Sequence, residues 1–178
     1  MRRALVIIGA AILPLSILVL SILVLSILVL SIGGSAAAEP AVVRSDGREI
    51  GVADVVDGDT IRVDGGALVL LIGIDTPEVS GPYRDEECFG REASRRTTAL
   101  IPRGTKVRLV FDVEHRDRYD RLLAYVYRVS DGLFVNASLV RDGYAGALTV
   151  PPNVRYADRF RRLQREARDG QRGLWKAC

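Results

Sequence analysis

Apolar and polar positions alternate in short runs from Arg48 to Ile74, REIGVADVVDGDTIRVDGGALVLLIGI. Two turn signals, Asp57-Gly58 and Asp64-Gly65-Gly66, cut this stretch and predict three strands joined by tight turns. A polar, irregular segment follows, SGPYRDEECFG, and then Ala93, Thr97 and Leu100 recur at helical spacing. TKVRLVFD alternates cleanly, with Val107, Leu109 and Phe111 facing one way and Lys106 and Arg108 the other. RLLAYVYRV predicts a further strand, closed by a turn at Asp131-Gly132. Asn136 is expected to cap a short helix that reaches Val140 and ends at Gly143. Tyr156, Phe160, Leu163 and Ala167 mark one face of a longer helix. The predicted fold is mainly β with α: a five-stranded Greek-key barrel of the OB type with three helices. An open sheet packed by helices is the alternative, and neither fold alone assigns a function.

The N-terminal pattern is of another kind. Arg2 and Arg3 precede an uncharged stretch from Ala4 to Ala38 in which SILVL occurs three times in succession. A positive start, an apolar run and then SAAAEP form the three parts of a secretory signal, with Ala36 and Ala38 as the small residues before a cut. The apolar run from Ala4 to Ile32 is long for a signal core, roughly 7–15 residues being usual. As a helix it would reach roughly 44 Å against a hydrocarbon layer of ~30 Å, so it could also stay as an anchor. Residues 1–38 are therefore expected to be a signal peptide or signal anchor, and residues 39–178 one domain. Either reading places that domain outside the cytoplasm, because Arg2 and Arg3 hold the N-terminus inside.

Charge changes the picture little. The formal net charge is +3, of which Arg2 and Arg3 supply two, so the balance alone does not argue for a polyanionic partner. Lys106 and Lys176 are the only lysines. The guanidinium groups that dominate suit bidentate oxyanion contacts, although a general coding bias toward arginine would look the same. Cys88 and Cys178 are an even pair, which in an oxidising compartment invites a disulfide; two free thiols are the alternative. Such a bond would stabilise by roughly 4–5 kcal/mol on the chain-entropy account.

Candidate chemistry begins where the run VLLIGI stops at Asp75, Thr76, Pro77 and Glu78. Asp59 follows the Asp57-Gly58 turn, and Asp75 is expected to end the third strand. In a three-strand meander these two positions meet at one pole. Their carboxylates, with the Thr76 carbonyl and water, would make a hard-cation site of the kind Ca²⁺ accepts. Glu78, held away by Pro77, is placed to accept a proton from a water beside the metal. Arg121 opens a strand and can take a phosphate oxygen through two hydrogen bonds. Arg118 and Tyr119 precede it, the tyrosine offering a ring face or a hydroxyl to a nucleotide. An Asp-Gly-Asp turn, an ordinary loop and a solvated charge run are the plainer readings of these three segments.

The segments VVDGDTIRV, IGIDTPE, CFGREAS, DRYDRLLAYVY, NASLVRDGYA and GLW, in that order, resemble the thermonucleases, the staphylococcal-nuclease-like domains, over roughly Ile50 to Trp175. The resemblance implies an OB-fold barrel with three helices and Ca²⁺-dependent hydrolysis of phosphodiesters in DNA and RNA. It also implies Asp59, Asp75 and the Thr76 carbonyl as calcium ligands, Glu78 as general base, and Arg121 as one of two catalytic arginines. Tyr119 matches a tyrosine near the nucleotide's phosphate. Four positions depart from the pattern. Leu70 stands where the other catalytic arginine belongs, Asp120 replaces the glycine before Arg121, and Leu148 and Val150 replace aromatic residues.

The expected function is thus an extracytoplasmic, Ca²⁺-dependent endonuclease, secreted or membrane-anchored through its N-terminal segment, working as a monomer on DNA and RNA. The first rival is a degenerate module that binds nucleic acid without cutting it, since an arginine clamp can be worth ~10³–10⁵ in rate. The second is a protein-interaction module at the envelope. Cleavage of nucleic acid with and without chelator separates the enzyme from the silent binder.

Overall fold

A computed structural model of the chain describes residues 49–79 and 87–178. The N-terminal segment and its boundary at residue 38 lie outside the described residues. So does Arg84, which with Arg62 and Arg118 could reach the phosphate in place of the arginine missing at Leu70; Arg62 and Arg118 lie within them. Among the described residues no helix is long and apolar enough to cross a membrane.

Five strands close into a barrel in the order β1, β2, β3, β6, β5. They are β1 (Glu49–Val55), β2 (Thr60–Val63), β3 (Leu68–Leu71), β5 (Lys106–Arg116) and β6 (Leu122–Arg128). All neighbours pair antiparallel except β3 and β6, whose parallel pairing (Val69 beside Leu122) shuts the barrel and leaves no edge there. Two further strands, β4 (Ile74–Asp75) and β7 (Gly146–Ala147), form a separate two-stranded ribbon. The helices are α1 (Gly90–Leu100), α2 (Val135–Arg141), α3 (Ala157–Asp169) and the short α4 (Leu174–Ala177). The predicted barrel with three principal helices is therefore the fold, and the open-sheet alternative is not.

Alternation explains the core. Ile61 and Val63, Val69 and Leu71, and Val107 and Leu109 point inward and are buried. Ala93, Thr97 and Leu100 are the buried face of α1, as their spacing predicts. Phe160 and Ala167 bury α3 against an aromatic cluster in which Tyr125 and Tyr156 meet edge to face at 4.6 Å. Cys88, just before α1, and Cys178 are joined by a disulfide with Cα atoms 6.0 Å apart.

Two expectations are corrected. The third strand does not end at Asp75. It ends at Leu71, the chain turns at Gly73 with φ 82°, and Asp75 belongs to β4, paired with Gly146 of β7. Only glycine fits at 73, because a Cβ there would also stand 2.4 Å from the Phe160 ring. Asn136 does not cap α2. It lies inside the helix, fully buried, where its Oδ1 accepts from Val126 N and its Nδ2 donates to Ile72 O, each at 2.9 Å. One side chain thus ties α2 to β6 and to the residue that leads into β4.

Asn136→Leu removes both bonds and leaves a buried N–H and a buried carbonyl unpaired, at a cost of about 3 kcal/mol. Thermal unfolding should show a fall in Tm on the order of 10 °C. A shift within a degree or two would show that water or a neighbour takes over the two groups.

Candidate active site

The carboxylate side of the site is built from the β1–β2 turn and the segment after β4. Val56 N and Asp57 N both donate to Thr60 O (2.9 and 3.0 Å), which closes the turn, and Leu71 N donates to Asp59 O at 2.8 Å, which seats it against β3. From α1, Thr97 Oγ1 donates to Gly58 O at 2.5 Å and holds the turn from outside. Glu78 is fixed through its backbone: its N–H donates to Glu87 Oε2 at 3.1 Å and its carbonyl accepts from Glu87 N at 3.0 Å. The start of α1 lies so close that a Cβ at Gly90 would stand 2.3 Å from that carbonyl. This approach accounts for the glycine in the CFG segment.

Asp59, Asp75 and Glu78 are brought together, and a fourth carboxylate joins them. The Asp59 carboxylate accepts from Thr60 Oγ1 at 3.0 Å and from the Thr76 N–H. Its pKa is pushed up to about 6, by burial first and by the charges of Asp75 and Glu78, against the pull of the Thr60 hydroxyl and the Thr76 N–H. Asp75 is raised by burial first, then by Glu78 and Glu87. Asp57 accepts from Gly58 N at 2.7 Å and shares a hydrogen bond with the Glu78 side chain. Burial, then that bond and the charges of Glu78 and Asp59, push Asp57 up to about 7, against the pull of the Gly58 N–H. Asp57 was legible only as a turn residue; nothing local marks it as a partner of Glu78.

These groups fit a cation. Among the described residues no set of three His, Cys, Asp or Glu side chains is arranged to hold an ion alone. A site here must combine Asp59 and Asp75 with the Thr76 carbonyl, water and substrate oxygens. The Thr76 hydroxyl supports this: it is buried with no hydrogen-bond partner among the described residues. Carboxylates raised by burial and then by one another's charge are the donor set that a divalent ion relieves.

The phosphate side lies across a pocket of about 370 Å³, lined by Leu70, Ile72, Ile74, Leu123, Leu148 and Val150 and edged by Asp117, Arg118, Tyr119 and Arg121. Asp117 aims Arg121: Arg121 Nε donates to Asp117 Oδ2 at 2.7 Å, and Arg121 N to Oδ1 at 3.0 Å. Burial would raise the Asp117 carboxyl, but the hydrogen bonds from Arg121 and Tyr119 outweigh it and hold it below the usual range. The terminal nitrogens of Arg121 stay clear of that contact. Asp120 adopts the left-handed conformation expected of the glycine it replaces, with φ 64°. Arg118 stacks 4.7 Å over the Tyr119 ring and donates to its hydroxyl at 2.7 Å. Leu70, half-buried, faces this pocket, so an apolar side chain does occupy the place where a second cation was missed. Of the arginines that could replace it, Arg62 is paired with Asp54 at 3.3 Å, and Arg118 lines the pocket. Sequence reasoning did not single out Asp117; the DRYDR spacing of a carboxylate four residues before Arg121 was its only signal.

Comparison with known proteins agrees with this fold. The pattern described as Staphylococcal nuclease homologue matches residues 68–177. The Thermonuclease of Staphylococcus intermedius is 38% identical over 125 residues, covering 68% of this chain and 73% of that protein. The Thermonuclease of Staphylococcus hyicus is 36% identical over 124 residues, covering 68% and 72%. The SPbeta prophage-derived endonuclease YokF of Bacillus subtilis (strain 168) is 40% identical over 125 residues, which is 67% of this chain and 41% of that longer protein. With a closed five-stranded barrel, an Asp59–Asp75–Glu78 cluster and a family pattern across most of the domain, the chain belongs to the staphylococcal nuclease homologue family.

Proposed function

We propose that this chain is a calcium-dependent endonuclease that hydrolyses phosphodiester bonds of DNA and RNA outside the cytoplasm. The cluster of Asp59, Asp75 and Glu78, next along the chain from Ile74 on the wall of the pocket that Arg121 edges, carries the reading. The relatives named as nucleases support it.

Asp59, Asp75 and the Thr76 carbonyl would hold the ion, and Ca²⁺ bound there would neutralise a non-bridging phosphate oxygen. Glu78 takes a proton from the attacking water as the water oxygen bonds to phosphorus and the ester bond to the departing oxygen breaks. Its backbone, fixed by Glu87 and by Gly90, keeps that carboxylate at the lip of the cluster. Arg121, aimed by Asp117, donates from its terminal nitrogens to the charge growing on the phosphate oxygens. Tyr119 and the apolar pocket receive a nucleotide base. The N-terminal signal or anchor pattern and the Cys88–Cys178 bond support a location outside the cytoplasm.

Leu70 favours a second reading, a module that binds nucleic acid and cuts slowly or not at all. With one arginine on the phosphate side, poor stabilisation of transition-state charge should limit the rate, so a restored cation should raise kcat more than it changes KM. Leu70→Arg should raise kcat at least several-fold on single-stranded DNA with Ca²⁺, while Glu78→Gln and Arg121→Ala each lower it by roughly 10²-fold or more. A flat Leu70→Arg profile together with loss of activity in Arg118→Ala would show that Arg118 already fills the role. Equal silence of parent and Leu70→Arg with Ca²⁺ bound would establish the binder.

Mass spectrometry of the non-reduced protein from its own host should yield one peptide pair linking Cys88 and Cys178. Two free thiols would contradict the proposed location.

A further inference from the structure

The near-neutral balance of the chain conceals an uneven distribution. Residues 155–178 hold seven arginines and Lys176 against Asp158, Glu166 and Asp169. Taking these eight cations and three acids from totals of 25 and 22 leaves the rest of the chain with 17 cations against 19 acids. The barrel therefore carries no basic excess, and the C-terminal helix does.

Placement on α3 matters more than number. Gln164 Oε1 accepts from Ala147 N at 2.6 Å and stands 3.5 Å from the position of a Cβ on Gly146. Gly146 is the strand partner of Asp75. One turn of α3 is thus docked on the ribbon that carries a proposed metal ligand. Residues three before and four after Gln164 share its side of the helix. They are Arg161 and Arg168, with Arg165 next around the turn, and all three are exposed. At 3.6 residues per turn Arg168, Arg161 and Arg165 fall about 40°, 60° and 100° around from Gln164, and Asp158, Asp169 and Glu166 about 120°, 140° and 200°, so the side of α3 nearest the ribbon is basic and acids begin at its far border. Arg165 makes no ion pair with any described residue. Arg161 is bonded to Asp158, and Arg168 lies 4.9 Å over the Trp175 ring.

We propose that Arg161, Arg165 and Arg168 form a track for the phosphates of a single-stranded polynucleotide, which passes from the carboxylate cluster over β7 and along α3. The inference rests on the nuclease reading for the point where the strand enters. Charge complementarity and continuity with the β4–β7 ribbon carry the rest. A single strand fits because the adjoining pocket is apolar and suits an unpaired base. Such a track would make affinity depend on substrate length and on salt, while the chemistry at the scissile bond stays the same.

The test is equilibrium binding of a fluorescent 20-nucleotide single-stranded DNA to the full-length chain, in mild detergent and EDTA so that cutting does not intervene. The parent is compared with the triple variants R161Q/R165Q/R168Q and R161K/R165K/R168K, after circular dichroism and Tm confirm that each folds. The glutamine variant should bind roughly ten-fold or more weakly, and its slope of log K against log salt should flatten by about 2, near 0.7 for each lost contact. The lysine variant should keep most of the affinity, because a track reads charge. With Ca²⁺ added, the glutamine variant should raise KM for the long strand and leave kcat for a minimal dinucleotide phosphodiester unchanged. Equal affinity and slope in parent and glutamine variant would overturn the track while leaving the nuclease reading intact. Binding that depends on the three arginines in a chain that does not cut would uphold the track and overturn the nuclease. No binding by the parent in EDTA would overturn the track, and cleavage with Ca²⁺ would then decide the nuclease reading separately.

Discussion

Four carboxylates that repel one another are held at one end of a barrel by groups that do not belong to them. Asp59 is fixed by the Thr76 N–H and Thr60 hydroxyl, Asp57 by Gly58 N–H and Glu78, and the turn between them by Thr97 of α1. Glu78 is fixed by Glu87 and by the close approach of Gly90. Burial first, and the charges of the neighbouring carboxylates after it, raise the pKa values of Asp57, Asp59 and Asp75. A fold has little reason to assemble such a cluster for its own stability, since each ionised group there is disfavoured by burial and by its neighbours. On the proposed reading, the arrangement becomes favourable when a cation and a phosphate enter together.

The rest of the structure serves to hold that end of the barrel. The parallel closure of β3 on β6 leaves Leu71 beside the Asp59 turn. Gly73 then swings the chain out of the barrel, so that Asp75 sits on its own ribbon instead of inside the sheet. Asn136 fastens the residue before that swing, and Phe160 of α3 fills the space that Gly73 leaves open. The same helix, through Gln164, supports β7 and presents arginines beside it. If the proposed track holds, support of the site and contact with a long substrate fall to one element.

The barrel strands, the buried face of α1 and the face of α3 were legible because each is a local periodicity: Ala93–Thr97–Leu100 needs only the helical repeat to be read. Asn136 was misread because a helix-start asparagine usually caps, and its true partners are Val126 and Ile72, the latter 64 residues away. The end of β3 was misplaced because VLLIGI looks like one apolar run, and the need for glycine at 73 comes from Phe160 far along the chain. Asp57 and Asp117 went unnoticed for the same reason of partnership: their work is to hold Glu78 and Arg121, and a hydrogen bond made in the fold leaves little trace in spacing.

The claim that the carboxylate cluster awaits a cation is tested most directly by thermal unfolding of the chain across pH 5 to 8, with and without Ca²⁺. A carboxyl raised from 3.8 to about 6 (Asp59) or about 7 (Asp57) stabilises the fold below 3.8 relative to its ionised form, and that contribution is lost as pH rises through the folded value. Without metal, Tm should therefore fall between pH 5 and 7. Ca²⁺ should raise Tm by an increment that grows over the same range, as the ligands ionise, and Asp59→Asn should remove most of that increment. An increment that is absent, or equal at every pH and indifferent to Asp59→Asn, would contradict the account.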